Sequence, residues 1–204
     1  MRRGFTLLEV LVAAVLTLLV MGVAFGYLVP AWRASARIQT RVELQQSAVV
    51  ALDRLTAELK TSAPGGVTLS DGVPRILAIN PVEKVQGNGL VVWKSSYILY
   101  VFEGDRLERI EWPPGGPAAS PSQQLPTRAK RLPRSQLVAI ASAGDVTRRQ
   151  VAGDVVDFSW THPGSPDVFT QPLTFRLELS RATSAQPQAE RVVLQRSVHL
   201  VNQQ

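Results

Sequence analysis

The sequence contains no cysteine and only two histidines. Without cysteine there is neither a disulfide nor a thiolate metal site, so packing alone must stabilise the chain. His162 and His199 are far apart in the sequence, and neither belongs to a metal-ligand spacing or a nucleophile motif. There is no glycine-rich phosphate loop, since the glycine pairs at 65–66 and 115–116 are typical of turns. We therefore expect no enzyme activity, no cofactor and no metal site.

Two further features bear on whether the protein binds a metal ion or a nucleic acid. Asp154 and Asp157 could contribute to a calcium site, but the required cluster of oxygen ligands is not visible in the sequence. The formal net charge is +6, from 22 basic and 16 acidic residues. Such a modest surplus does not by itself indicate a nucleic-acid partner.

Charge is missing from one long segment. Residues 10–29 are 20 uncharged positions, among which only Thr17 and Tyr27 carry a polar group. Such a run predicts a membrane-spanning helix. With residues 5–9 it reaches about 37 Å at about 1.5 Å per residue, which leaves some length for tilt. Arg2 and Arg3 precede it, so we expect a cytoplasmic N-terminus and an extracytoplasmic remainder.

One carboxylate, Glu9, lies at the start of this apolar segment. Because a charge inside a membrane is costly, an acid there is a functional hypothesis by default. The simpler interpretation is that Glu9 lies near the interface and reaches headgroup water.

The segment GFTLLE at residues 4–9, with the unbroken apolar tail behind it, resembles the class III signal of type IV prepilins and type II secretion pseudopilins. In that family a membrane peptidase cuts after the glycine on the cytoplasmic side and N-methylates the new first residue. The resemblance implies a cut between Gly4 and Phe5, a methylated Phe5, and Glu9 as the fifth mature residue. It also implies a prepilin peptidase, other pilins or pseudopilins, an inner-membrane assembly platform and membrane lipid as partners.

The spacing of Phe5 and Glu9 suggests how subunits keep register. Cleavage creates an amine at Phe5, four residues or about 6 Å before Glu9 along a helix. A neighbouring helix displaced by about one turn would place its amine against this carboxylate, and two charges that are costly in lipid would neutralise each other. We therefore predict Glu9 as the residue that directs subunit assembly.

Two alternatives concern the same segment. Ala34 and Ala36 match a secretory cleavage site, but the apolar core is far longer than in a removable signal and only two arginines precede it. Gly22 and Gly26 form a G-x-x-x-G pair, which is either a helix-packing motif or a flexible spot before Pro30.

Residues 31–60 contain no glycine or proline and are rich in strong helix formers. We predict an amphipathic helix over residues 30–61 that packs on a sheet, continuous with the anchor and ending at APGG, residues 63–66. Its charged residues lie mostly off the predicted apolar stripe. That stripe comprises Ile38, Val42, Val49, Leu52 and Leu59, with Gln45 filling the missing position.

The composition and alternation of the rest of the chain are typical of β-strands. A tight turn at 103–106 joins two of the strands, and residues 173–179 alternate well enough to place Leu173, Phe175, Leu177 and Leu179 on one face. The same argument places Val156, Phe158 and Trp160 on one face of their strand. We predict strands at 74–79, 89–93, 96–102, 107–112, 137–141, 155–160, 173–179 and 190–201, with residues 148–151 leading into the strand at 155–160. The strand at 96–102, apolar on both faces, is expected to be central, and the last two strands are expected to pair.

Residues 113–134 are rich in proline, glycine and serine, which predicts a long, exposed and mobile loop. Its end carries four cations, Arg128, Lys130, Arg131 and Arg134. These cations suggest a weak contact with DNA phosphates, but no aromatic residue is interleaved for base stacking, and a solvated basic loop is the simpler interpretation.

The predicted fold class is α+β: a long N-terminal helix packed on an antiparallel β-sheet head, as in pilins. The predicted divisions are a leader at 1–4, a transmembrane helix at 5–29, an amphipathic helix at 30–61 and a head at 62–204. The resemblance implies a minor pilin or a J-type minor pseudopilin, which serves assembly priming, protein secretion or DNA uptake. Glu9 argues against the family's tip subunit, which lacks this acid. The alternative is a single-pass anchored binding or adhesin domain that does not polymerise.

Overall fold

The computed structural model of the protein describes residues 6–89, 91–113, 132–163, 171–183 and 186–200. Within these ranges the chain forms two helices and nine strands, and each strand pairing is antiparallel. The helices are α1 (Leu7–Lys60) and α2 (Arg134–Ser142). The strands are β1 (Ser62–Ser70), β2 (Arg75–Val85), β3 (Val91–Trp93), β4 (Tyr97–Glu103), β5 (Arg106–Trp112), β6 (Arg148–Ala152), β7 (Val155–Thr161), β8 (Leu173–Thr183) and β9 (Gln186–Val198). The predicted α+β class is confirmed.

The described strands form two sheets. One has the order β1-β2-β4-β5-β6, with β3 paired to the end of β2, and the other has the order β7-β8-β9. The predicted hairpin of β4 and β5 is confirmed, and Gly104 in its turn has a φ of 64°. Strand β4 lies between β2 and β5, as its two apolar faces predict. The predicted pairing of the last two strands, β8 and β9, is also confirmed.

The first sheet is buried on both faces. Leu77 and Ile79 of β2 face a core shared with α1 and the second sheet, whereas Ile76 and Ala78 face a core shared with α2. Helix α2 corrects the predicted strand at 137–141. A short apolar run does not distinguish a helix from a strand by period alone, and this one buries positions at helical spacing, namely Leu137, Ile140 and Ala141.

The buried face of α1 differs from the predicted stripe. Leu52 and Leu59 are buried as predicted, but Ile38, Val42 and Val49 are exposed, Ile38 to 65%. The core-facing side chains of α1 are Leu44, Ala48, Ala51, Leu52, Leu55 and Leu59. The prediction was wrong because it followed the large β-branched residues, whereas the helix packs through a side on which two alanines allow close approach. The packed part also begins only at residue 44.

The end of α1 comes earlier than predicted. The helix stops at Lys60, where the backbone N–H of Thr61 donates to the Glu58 carbonyl at 3.1 Å and its hydroxyl donates to the same oxygen at 2.6 Å. The APGG segment at 63–66 therefore belongs to β1 and does not end the helix. Its second glycine is needed for packing, because a Cβ on Gly66 would lie 2.3 Å from the indole ring of Trp93.

A register shift in β7 changes its predicted face. Val155 pairs with Leu179 and Asp157 with Glu178, so Val156 is an extra residue between the two pairs. Val155 and Phe158 are consequently buried and Val156 is exposed. The predicted common face for 156, 158 and 160 was wrong because simple alternation fails across a bulge.

A partly buried carboxylate ties the last turn of α1 to the first sheet. Glu58 Oε1 accepts a hydrogen bond from Arg109 Nε on β5 at 2.8 Å, and its Oε2 accepts one from the Tyr100 hydroxyl on β4 at 2.8 Å. Burial and the nearby carboxylate charge raise the pKa of Tyr100, so the phenol stays a donor.

A second charged cluster joins the two sheets. Asp157 on β7 pairs with Arg75 of β2 at 2.6 Å and with Arg176 of β8 at 3.0 Å. Glu178, whose side chain is 2% exposed, pairs with Arg176 at 2.6 Å and also with Arg191 of β9. Burial alone would raise the pKa of Asp157, but the hydrogen bonds and guanidinium charges around it hold that pKa below its usual value. The hydrogen bond from Arg191 likewise lowers the pKa of Glu178.

Candidate functional site

Helix α1 begins with a capping box of Thr6 and Glu9. Thr6 has an extended backbone, and its Oγ1 accepts a hydrogen bond from the Glu9 backbone N–H at 3.3 Å. Glu9 Oε2 in turn accepts from the Thr6 backbone N–H at 3.1 Å and from its hydroxyl at 3.2 Å. The pair satisfies donors that a helix leaves open at its N-terminus. Our sequence analysis missed this arrangement, although the Thr-x-x-Glu spacing is its signature.

The capping box fixes the Glu9 carboxylate at one oxygen only. Negative charge is favoured here, because the backbone dipoles of the helix leave its N-terminal end partly positive. Both hydrogen bonds go to Oε2, and within the described residues no donor reaches Oε1. One further charged donor can therefore bind this carboxylate without displacing the cap.

The surface of α1 that follows is uncovered. Residues 6–39 are all exposed, and the helix is long and apolar enough to cross a membrane. The Thr17 hydroxyl donates to the Ala13 carbonyl at 2.7 Å, so it adds no unsatisfied polar group to this surface. A Cβ placed on Gly22 or Gly26 would meet no atom within 4 Å, so a packing role for this pair requires another helix. Helical structure continues through Pro30. An apolar surface of this extent needs lipid or other apolar helices around it.

The predicted processing residues, Gly4 and Phe5, lie outside the described residues. Their roles therefore remain predictions. The structure does place Glu9 at the first turn of the helix that begins directly after them.

The four cations predicted as a DNA contact fall partly outside the described residues. Arg128, Lys130 and Arg131 lie there, as does most of the predicted loop. Arg134 is described and begins α2, where its guanidinium donates to Ser70 Oγ at 2.9 Å, to the Asp71 carbonyl and to the Val73 carbonyl at 3.2 Å. Arg134 thus joins α2 to the turn between β1 and β2.

The two aspartates considered for calcium are both engaged by arginines. Asp154 Oδ2 lies 2.8 Å from an Arg181 nitrogen, and Asp157 belongs to the charged cluster between the sheets. Among the described residues, no group of three or more histidine, aspartate or glutamate side chains is placed to hold a metal ion.

The comparison with known families concerns the same N-terminal segment. A family model described as the prokaryotic N-terminal methylation motif matches residues 1–25. This match supports a type IV prepilin-like protein. No curated protein matches the chain.

The motif and the helix together define what such a protein requires. A prepilin motif implies processing by a prepilin peptidase and assembly with other pilins. Among the described residues one helix is long and apolar enough to cross a membrane, and together with the motif it indicates a single-pass, membrane-anchored protein. Its α+β layout, a long helix on antiparallel sheets, is that expected for a pilin-like fold.

Proposed function

We propose that this protein is a minor subunit of a type IV pilus or of a type II secretion pseudopilus, and that its work is assembly. The observation that carries the proposal is the methylation motif at 1–25, followed directly by an exposed apolar helix with one carboxylate. The leader, residues 1–4, is removed by the peptidase, and Phe5 becomes the methylated N-terminus. The subunit is then stored in the cytoplasmic membrane, with its N-terminus in the cytoplasm and its head outside. There it meets the assembly platform and the other pilins, and it primes a fibre that serves secretion or DNA uptake.

The geometry of Glu9 supports a specific role in that assembly. Removal of residues 1–4 keeps the Thr6 backbone N–H, so the capping box can persist in the mature subunit. Oε2 then remains engaged, and Oε1 is the oxygen left for the Phe5 amine of a neighbouring helix. In a low-dielectric environment such a pair is favourable only at one axial offset, which sets the register of a surface that is otherwise uniformly apolar.

Processing is tested by the intact mass of the protein from membranes, with and without the cognate prepilin peptidase. We expect the peptidase to remove residues 1–4 and to add one methyl group. A chain that keeps these residues beside an active peptidase would contradict the proposal. It would favour the alternative, an anchored binding or adhesin domain that does not polymerise.

The register role is tested by separating the charge of Glu9 from its cap. Glutamine at this position can still complete a capping box, so Glu9→Gln removes the charge and retains the hydrogen-bond acceptor. Thr6→Val is the matched control, because it removes the hydroxyl cap and leaves the charge. We expect both variants to insert in the membrane, and only Glu9→Gln to lose most of its incorporation into fibres. Incorporation of Glu9→Gln at the wild-type level would show that the charge pair does not set the register.

A contact with DNA through the basic residues of the loop remains a prediction. Charge reversal at Arg128, Lys130 and Arg131 tests it, while Arg134 is kept because it joins α2 to the β1–β2 turn. Unchanged DNA binding by this triple variant would remove the contact from the proposal.

A further inference from the structure

A basic row on α1 begins just beyond the membrane anchor. Arg33, Arg37 and Arg41 recur every fourth residue and therefore stack along one side of the helix. Continuing down the same side, the next positions are Leu44 and Ala48, which are buried in the head. The basic row thus occupies the side of α1 that the head covers further along, in the space between the head and the membrane.

A groove of about 500 Å³ lies along this row. The three arginines line it together with Pro30, Ala34 and Ile38 of the helix, and Glu190 of β9 forms the other wall. Three guanidinium groups thus face one carboxylate. Among the described residues, the side chains of Arg37 and Arg41 form no ion pair or hydrogen bond. Arg37 and Arg41 therefore bring positive charge that no described carboxylate pairs with, beside a small apolar surface.

The depth of the groove matches the headgroup layer of a bilayer. Tyr27 and Trp32 are both exposed, and aromatic residues of this kind mark the interface. Counting from Val29, Arg33 lies about 6 Å and Arg37 about 12 Å along the helix axis, and the headgroup layer is about 5–8 Å thick on each side. Helical side chains lean towards the N-terminus, which here is the membrane side, so Arg37 can extend back to the phosphates.

The geometry points to a binding site for the phosphate of an anionic phospholipid, in the leaflet next to the head. Arg37 contacts the phosphate, and Arg41, one turn further out, adds attraction within a Debye length. The apolar residues of the groove accept the glycerol part of the lipid. This site holds the head at a defined height above the bilayer while the subunit waits in the membrane. The proposal depends on membrane anchoring alone and not on fibre assembly.

The test uses the full-length protein in dodecylmaltoside micelles, with bound lipid counted by native mass spectrometry. Wild type should retain dioleoylphosphatidylglycerol in preference to dioleoylphosphatidylcholine. The variant Arg37→Gln/Arg41→Gln should bind the anionic lipid about 30-fold more weakly, since each basic side chain near an anionic surface is worth about fivefold. The conservative variant Arg37→Lys/Arg41→Lys should retain most of the binding.

The matched control is Lys94→Gln/Arg149→Gln, which loses the same two charges at the membrane-distal end of the head. Lys94 adjoins Pro81, which pairs with Ser62 just after α1 ends, and Arg149 pairs with Arg109, the partner of Glu58. This control should bind lipid like wild type.

Four results would overturn the proposal. The first is equal binding of the two lipids by wild type, and the second is equal loss in the test and control variants. The third is displacement of the lipid by millimolar inorganic phosphate, which would show a free-anion site. If Arg37→Gln/Arg41→Gln keeps its lipid but loses self-association, the arginines bind an acidic face of a second copy, and the lipid site is again refuted.

Discussion

The carboxylate of Glu58 should contribute more to the stability of the head than any surface ion pair. It joins the last turn of α1 to β4 and β5 through two hydrogen bonds of 2.8 Å, from Tyr100 and from Arg109. The side chains of Arg109 and Glu58 are only 14% and 18% exposed, so water screens their attraction weakly. Glu58→Gln removes the charge and changes the shape little.

The magnitude follows from what the substitution leaves behind. Removing one partner of a fully buried ion pair costs about 3–5 kcal/mol, mostly because the other charge stays buried without compensation. Here Arg109 keeps a second, more exposed partner, Glu111, at 3.5 Å. Glutamine can also still accept one hydrogen bond. We therefore expect Glu58→Gln to lower the free energy of unfolding by about 2–3 kcal/mol. Tyr100→Phe, which removes one hydrogen bond, should cost about 1 kcal/mol.

The assay is urea unfolding of the full-length protein in mild detergent at pH 7, followed by tryptophan fluorescence. The control is Glu43→Gln, which breaks the exposed pair of Glu43 with Arg181, 2.9 Å long, and should cost less than about 1 kcal/mol. If both glutamine variants unfold at the same urea concentration, burial does not strengthen the Glu58 pair and the reasoning is refuted.

Three further predictions concern the core, a close contact and pH. Leu55→Ala should lower the free energy of unfolding by about 2–5 kcal/mol, because Leu55 is fully buried between α1 and the sheets; a change in urea midpoint equivalent to less than 1 kcal/mol would contradict this. Gly66→Ala should cost about 1–3 kcal/mol by overpacking, since its Cβ would lie 2.6 Å from a backbone oxygen, whereas Gly65→Ala meets only an ordinary contact at 3.8 Å. Equal urea midpoints of unfolding for Gly66→Ala and Gly65→Ala would show that the space around Gly66 is not restricted. The lowered pKa values of Asp157 and Glu178 mean that the folded state binds fewer protons than the unfolded state near their pKa values. The part of the free energy of unfolding that these two carboxylates contribute should thus be fully present above about pH 5 and should fall as the pH drops through about 4 and below. Urea midpoints of unfolding that stay constant or rise between pH 5 and pH 3 would contradict this prediction.

The sequence predicts best where a pattern is long or a turn residue is decisive. The uncharged segment at 10–29 is long enough to predict a helix, and α1 covers it. The glycine turn at 103–106 and the alternation of residues 173–179 in β8 likewise predicted two of the antiparallel strand pairs among the described residues. In each case the local signal and the tertiary environment agree, so little information beyond the sequence is needed.

The errors arise where tertiary packing chooses between local options. Residues 137–141 suit a strand or a helix equally. They form a helix because, in that conformation, their apolar side chains cover the face of the first sheet that α1 does not cover. The buried side of α1 is chosen by the close approach of the sheets to Ala48 and Ala51, and not by the bulk of Val42 or Val49. The capping box of the candidate site was readable in principle, because it depends only on a local spacing.

Helix α1 has an exposed part and a part packed on the head, and this difference explains why the sequence around the candidate site is so uniformly apolar. The head buries side chains of the helix only from residue 44 onwards, and residues 6–39 stay exposed. If these residues face lipid before assembly and other subunits afterwards, their surface must suit both environments. Uniform leucine, valine and alanine satisfy that condition, because lipid tails and apolar helices offer them similar contacts. Such a surface cannot specify a position along the fibre, so specificity has to come from a group that lipid disfavours and a neighbour can neutralise. In residues 5–29, Glu9 is the residue of that kind.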